Sequence, residues 1–217
     1  MFDLHTHSLL SDGALVIAEL VRRAEVAGYR GMVISDHVDG ALVDFVVPRV
    51  AASAAELTRL TAVLVVAGAE ITHCPPEQVA ELVARARKLG AALVTVHGET
   101  IAEPVKPGTN RAAIEAGVDL LAHPGLISEE DVKAAASRGV RLEISGRKGH
   151  SLTNGHVAAL ARKHGAQLYF GSDAHEPGDL VGREQAQRIL LGAGLSSREA
   201  VGVLAEAEKL VRKMIST

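Results

Sequence analysis

The chain has 217 residues, enough to bury one sizeable core and too few for two ordinary α/β domains. Its 23 Lys and Arg nearly offset 26 Asp and Glu, leaving a net charge of −3, so no overall basic field draws it to nucleic acid or anionic lipid. Aromatic residues make up 2% with no Trp, and Cys74 is the only cysteine, which removes the stacking platforms of single-strand binders, any intrachain disulfide and any Cys-rich zinc site.

The N-terminus opens on Met1-Phe2-Asp3-Leu4-His5, without the basic and then apolar pattern of an export leader, and a first strand is expected at 2–5. From Ala14 to Ala27, the residues Ile17, Leu20, Val21, Ala24 and Ala27 share one helical face. Gly28 then precedes a strand at 31–35. The apolar run at 62–69 is too short to cross a bilayer and reads as a strand at 63–69. Val79, Leu82, Val83, Ala86 and Leu89 repeat the helical spacing, and Gly90 leads into a strand at 92–97. Gly117, Gly139 and Gly165 stand before runs at 118–123, 141–145 and 167–171. A helix at 153–163 would leave His156 and His164 to solvent. A last amphipathic helix at 196–215, with Val201, Leu204, Val211 and Ile215 near one face, is expected to pack on the outside of the fold.

Glycine accepts the left-handed backbone that ends a helix, and short β-branched runs suit buried parallel strands. The repeating unit of helix, glycine and strand predicts one α/β domain over residues 1–217, with a parallel sheet either closed as a barrel or open and doubly wound. Neither export nor membrane insertion is expected, and the expected compartment is the cytoplasm.

At or just beyond the C-terminal end of each strand stands a polar residue: His5, His37, Glu70, His97, His123, Glu143 and Asp173. Parallel α/β folds gather these ends on one face, where sites are built. In His5-Thr6-His7 the two imidazoles point the same way, roughly 7 Å apart at the backbone, and can share one ion. Asp12, in Ser11-Asp12-Gly13, reads equally as a helix N-cap or a ligand. Imidazole mixed with carboxylate and no thiolate suits Zn, Mn or Fe engaged in hydrolysis. Arg147 and Lys148, flanked by Gly146 and Gly149, are candidate phosphate-binding residues, and Arg183 and Lys106 read as surface charges. His73 and Cys74, just past Glu70, read as plain loop more readily than as supporting groups; Cys74 as a nucleophile would need an adjacent base and is not expected beside a metal site. Glu143 reads as a partner of a ligand or a loop anchor.

In order along the chain, HTH, SDG, SDH, AE, VH, AHP and SDAH resemble the motifs of the polymerase and histidinol phosphatase (PHP) family, from His5 to His175. The resemblance implies a distorted (β/α)7 TIM-like barrel and two or three divalent metal ions. It also implies nine ligands: His5, His7, Glu70 and Asp173 at a first ion; His97 and His123 at a second, bridged by Glu70; and Asp12, His37 and His175 at a third. Glu70, Asp173 and His175 would be the catalytic residues. The implied reaction is hydrolysis of a small phosphomonoester, histidinol phosphate or another metabolite, by a metal-activated hydroxide at a trinuclear site. Asp12 stands where some phosphatases of the family carry histidine, which leaves specificity open.

Three other readings compete. A phosphodiesterase or exonuclease-like activity on nucleotides or nucleic-acid ends is disfavoured by the charge and the scarcity of aromatics. A non-catalytic, metal-binding regulatory domain is disfavoured because every ligand position is filled by a competent residue. An amidohydrolase on a similar barrel is more distant, since no lysine ends a strand. The expected partner is a small phosphorylated substrate rather than nucleic acid or a membrane, and the oligomeric state is left open.

Overall fold

The computed structural model describes residues 1–216, in which strands and helices alternate along most of the chain. The strands are β1 (Phe2–Thr6), β2 (Gly31–Ile34), β3 (His37–Val38), β4 (Leu64–Ile71), β5 (Leu93–His97), β6 (Leu120–Ala122), β7 (Arg141–Ser145) and β8 (Leu168–Gly171). All pair in parallel in the order β1-β2-β4-β5-β6-β7-β8; the two-residue β3 lies beside the end of β4, with His37 opposite Glu70. The main-chain N–H of Asp173 donates to the carbonyl of His5 at 2.9 Å, and that of His7 to Ala174 at 2.9 Å, bringing the end of β8 back to β1. The result is the nearly closed TIM-like barrel of seven strands expected from the sequence.

Around it run α1 (Ile17–Val26), α2 (Val43–Leu60), α3 (Pro76–Lys88), α4 (Thr109–Ala116), α5 (Glu129–Arg138), α6 (Asn154–His164), α7 (Arg183–Gly192) and α8 (Ser197–Ser216). The local rules are visible in α3, where Pro76 occupies the first turn and Val79, Leu82, Val83 and Ala86 form the buried stripe. In α5 the Ser128 hydroxyl accepts the Asp131 N–H, three carboxylates fill the first turn, and Gly139 closes the helix at φ 72°. No helix of the described residues is long and apolar enough to cross a membrane.

Two apolar layers hold the fold. Residues pointing outward from the strands, such as Ile34, Val65, Val94, Leu142 and Phe170, pack on the helices. Leu4, Val33, Val66, Leu93, Leu120 and Tyr169 fill the barrel itself, joined by Ala207 and Val211 of α8. This corrects the expectation that the last helix lies wholly outside. Ala200 and Leu204 do join the outer layer, but the following two turns cover the N-terminal end of the barrel. The physical reason is the ring of apolar side chains there, including Phe2 and Val66, which is worth about 25 cal/mol per Å² when covered. Val211, wholly buried, lies over Gly31, where an added Cβ would stand 2.9 Å from it.

Above that floor the strand alternation turns polar. Along β5 the inward series runs Leu93, Thr95, His97, and along β4 it runs Leu64, Val66, Gly68, Glu70, so each strand carries core at its base and a donor at its top. β1 departs from alternation. Its register slips between Asp3 and Thr6, a bulge that lets Leu4 join the inner core while the adjacent His5 also turns inward above it.

Candidate metal centre

The nine residues scattered between His5 and His175 converge at the C-terminal mouth of the barrel. His5 Nε2 lies 3.2 Å from Glu70 Oε2 and 3.7 Å from Asp173 Oδ1, and His7 Nε2 lies 3.4 and 3.3 Å from the same two oxygens. Beside them, His37 Nε2 and His175 Nε2 approach Asp12 Oδ1 at 3.5 and 3.1 Å. On the other side His123 Nε2 stands 3.6 Å from Glu70 Oε1, the second oxygen of the same carboxylate, and donors of His97 and His123 lie within 4.8 Å of each other. Six of the nine, Asp12, His37, His97, His123, Asp173 and His175, line a cavity of about 350 Å³.

The donor atoms fit divalent ions on two counts. Ligands about 2.0–2.2 Å from a tetrahedral ion stand roughly 3.4 Å apart, which is the spacing found around Glu70 and Asp173. Both ring nitrogens of His7, Nδ1 of His97, Nδ1 of His123 and Oε1 of Glu70 are buried without a hydrogen-bond partner. Buried polar groups are ordinarily paired, so this concentration among the candidate ligands is unusual and leaves the site short of hydrogen-bond partners. Two of the site residues also carry a backbone rarely seen outside glycine, His123 at φ 24° and Asp173 at φ 54°, strain of the kind that collects at functional sites.

The electrostatics are those of a crowded set of imidazoles around two carboxylates. Burial, with His37 and His5 close by, pushes the pKa of His7 well below the ordinary range, and burial does the same to His123 beside His97. Burial also opposes the charged form of His5, but the Glu143, Glu70 and Asp173 carboxylates outweigh it and hold His5 well above the usual value. Glu70 is held well below the carboxylate range despite burial, by His5 and His37, whereas burial raises Asp173.

Other residues fix the donors in place. Glu143 accepts the Nδ1–H of His5 at 2.7 Å with one oxygen and the main-chain N–H of His123 at 2.8 Å with the other, the partner role expected of it. Asp36 accepts hydrogen bonds from the Ser8 N–H, the Ser8 hydroxyl and the Ser11 hydroxyl, each at 2.7 Å, and so pins the loop that presents Asp12. Arg147 lines the cavity; its Nη1 donates to the Asp173 carbonyl at 3.1 Å and touches His175 Nδ1. Lys148 is exposed and lines a neighbouring groove with Glu176 and Asp179 instead of the central cavity. Lys106 pairs with Glu77 at the surface and Cys74 is buried, its thiol pushed up by burial.

Sequence reasoning missed His150 and Glu103. His150 is 4% exposed, its ring stacked 4.0 Å from that of His123, and Glu103 reaches His73, His97 and His150 at 3.0, 3.2 and 3.4 Å. Neither ends a strand; both lie on loops, and only the folded chain brings them to the mouth.

No protein-family model matches the chain. Over 216 residues it is 40% identical to the "Uncharacterized protein MJ1295" of Methanocaldococcus jannaschii, covering 99% of each chain. Over 108 residues it is 35% identical to the probable phosphatases Shewana3_2794 and Shewmr4_2619 of two Shewanella strains, covering 41% of this chain and 43% of theirs. Among solved structures it matches a chain in archaeal ribonuclease P with mature tRNA at TM-score 0.74 and 17% identity, covering 97% of this chain and 90% of that one. It matches a Xaa-Pro dipeptidase with bound methionine at TM-score 0.59 and 14% identity, covering 97% and 74%. At such identities the likeness to both structures is one of fold alone. The near-complete match to the archaeal relative is of another order, and on it the chain belongs to the family of the Methanocaldococcus jannaschii protein MJ1295.

Proposed function

We propose that this chain is a metal-dependent phosphoesterase of the polymerase and histidinol phosphatase type, acting on a small phosphomonoester. The observation that carries the reading is the convergence of nine histidine and carboxylate side chains on one mouth, with buried donor atoms left unpaired by any hydrogen bond. The order of the motifs and the partial similarity to two probable phosphatases support it. His5, His7, Glu70 and Asp173 would hold a first ion; His97 and His123 a second, shared with Glu70; and Asp12, His37 and His175 a third, with Zn, Mn or Fe all suited to such donors. When bound, such ions lower the pKa of water and neutralise phosphoryl oxygens.

The remaining work belongs to the chain. Glu70 and Asp173 each present two oxygens between neighbouring donor groups, and His175 faces the same space, which is why catalysis is assigned to these three. Arg147 stands at the cavity wall with a five-donor guanidinium whose contacts to Asp173 and His175 occupy only part of its capacity; the rest suits the oxygens of a phosphoryl group. A cavity of about 350 Å³ suits a metabolite in the cytoplasm better than a polymer, and the net charge of −3 adds no pull toward nucleic acid.

The test is phosphate release by the metal-reconstituted protein on a panel of sugar phosphates, nucleotides, histidinol phosphate and a dinucleotide diester. Turnover of a monoester supports the reading and names the substrate class. Turnover of the diester alone would replace it with a phosphodiesterase.

A further inference from the structure

Two loops place donors at the mouth that the motifs do not include. Glu103 lies between β5 and α4, and His150 opens the short turn after β7. His150 is held as ligating histidines are held. Its Nδ1 sits 2.7 Å from the Thr100 hydroxyl, which leaves Nε2 to face inward, 3.4 Å from Glu103 Oε1 and 3.9 Å from Asp173 Oδ2. Its ring stacks on His123 with centroids 4.0 Å apart, while His97 meets His123 edge-on at 4.4 Å, and donors of His97, His123 and His150 all lie within 4.8 Å of one another. Glu103 spans the same gap from above, one oxygen 3.2 Å from His97 Nε2 and the other 3.4 Å from His150 Nε2.

Resting on the reading of the mouth as a metal centre, we propose that His150 and Glu103 are ligands of the ion held by His97 and His123, giving that ion three imidazoles and a terminal carboxylate beside Glu70. Three observations favour ligation over a structural cluster. The three imidazoles crowd together without hydrogen-bonding to one another and would repel if charged, whereas one divalent ion satisfies them together. Nε2 of His97 and Nε2 of His150 both face the Glu103 carboxylate across that gap, at 3.2 and 3.4 Å. The loop that carries Glu103 is itself anchored, the Glu99 carboxylate accepting the N–H groups of Gly108 and Asn110 at 3.0 and 2.8 Å. His150 is buried and would be a permanent ligand. Glu103, 39% exposed, is the ligand a substrate oxygen would displace.

The experiment is zinc binding to the full-length protein freed of metal by a chelator. Affinities are read by competition with a chromophoric chelator, and stoichiometry by elemental analysis; cobalt spectra report the coordination of the same sites. The variants are His150→Gln, Glu103→Gln and His123→Gln, with far-ultraviolet circular dichroism as the check on folding and exposed Glu103 as the position least able to disturb it. His150→Gln and Glu103→Gln are expected to weaken one zinc equivalent and leave the others, and to shift the cobalt bands. The loss at His150 should exceed the roughly 10–100-fold seen when a ligand merely loses its outer hydrogen-bond partner. Unchanged zinc binding in both variants, with loss in His123→Gln, would overturn the proposal and leave the metal centre standing. A wild-type protein that binds no zinc would overturn both.

Discussion

The carboxylate of Glu143 joins His5 to the chain at His123: one oxygen receives the imidazole Nδ1–H at 2.7 Å, the other the backbone N–H at 2.8 Å. One side chain below the mouth thus orients a donor on β1 and the left-handed turn that presents a donor after β6. Replacing it with Gln exchanges one acceptor oxygen for an NH2 and breaks one of these bonds. Glu143→Gln is expected to weaken metal affinity by about 10–100-fold with the fold retained, measured by chelator competition.

Gly171 is what allows that contact. A Cβ there would stand 2.1 Å from Glu143 Oε1 and 2.7 Å from the Cβ of His5. Gly171→Ala must push one of them away and is expected to cost about 1–3 kcal/mol, an overpacking penalty that thermal denaturation would register as a drop of roughly 2–12 °C. Activity should fall further than stability, because the displaced groups are the donor and its support.

The floor of the barrel gives a prediction independent of the chemistry. Val211→Asp buries a carboxylate with no partner and should destabilise the protein by several kcal/mol or prevent folding. Val201→Asp on the exposed side of the same helix should stay within about 0.5 kcal/mol of the parent by chemical denaturation.

Metal binding should strengthen as pH rises. His5, His37 and His97 have their pKa raised above the ordinary 6.5 because, against burial, the carboxylates Glu143, Glu70 and Glu103 favour their charged forms. An ion must displace those protons, so affinity falls on moving below the raised values and continues to grow above 6.5. Calorimetry in buffers of different ionisation enthalpy should detect proton release on binding, and a pH-independent affinity with no release would contradict the assignment.

Arg147→Ala should raise KM for a phosphomonoester about tenfold or more with a smaller change in kcat, as removal of a group that binds ground and transition states alike would do. Lys148→Ala, on the outer groove, should change neither by more than a small factor.

Much of the barrel and its mouth is legible in the sequence because both rest on short-range pattern. Apolar runs after glycines mark β2, β5, β7 and β8 to within about a residue, and a donor stands at the end of β5 (His97) and within three residues beyond the ends of β2 (His37) and β8 (Asp173). What the sequence hides depends on contacts without a local signature. The seating of α8 across the end of the barrel is decided by the apolar ring it covers, which no property of residues 197–216 alone reveals. His150 and Glu103 follow no strand, and their approach to His97 is set by the anchoring of Glu99 and the packing of Thr100. The bulge in β1 likewise appears only in its register against β2.

The most direct test of the central claim is phosphate release from a simple aryl phosphomonoester by one preparation measured three ways: stripped by chelator, reloaded with manganese or zinc, and reloaded as the Asp173→Asn variant. A phosphoesterase at this mouth predicts no turnover when stripped, turnover when reloaded, and a loss of several orders of magnitude in the variant. Equal activity of the stripped and reloaded protein, or of the variant and the parent, would contradict it.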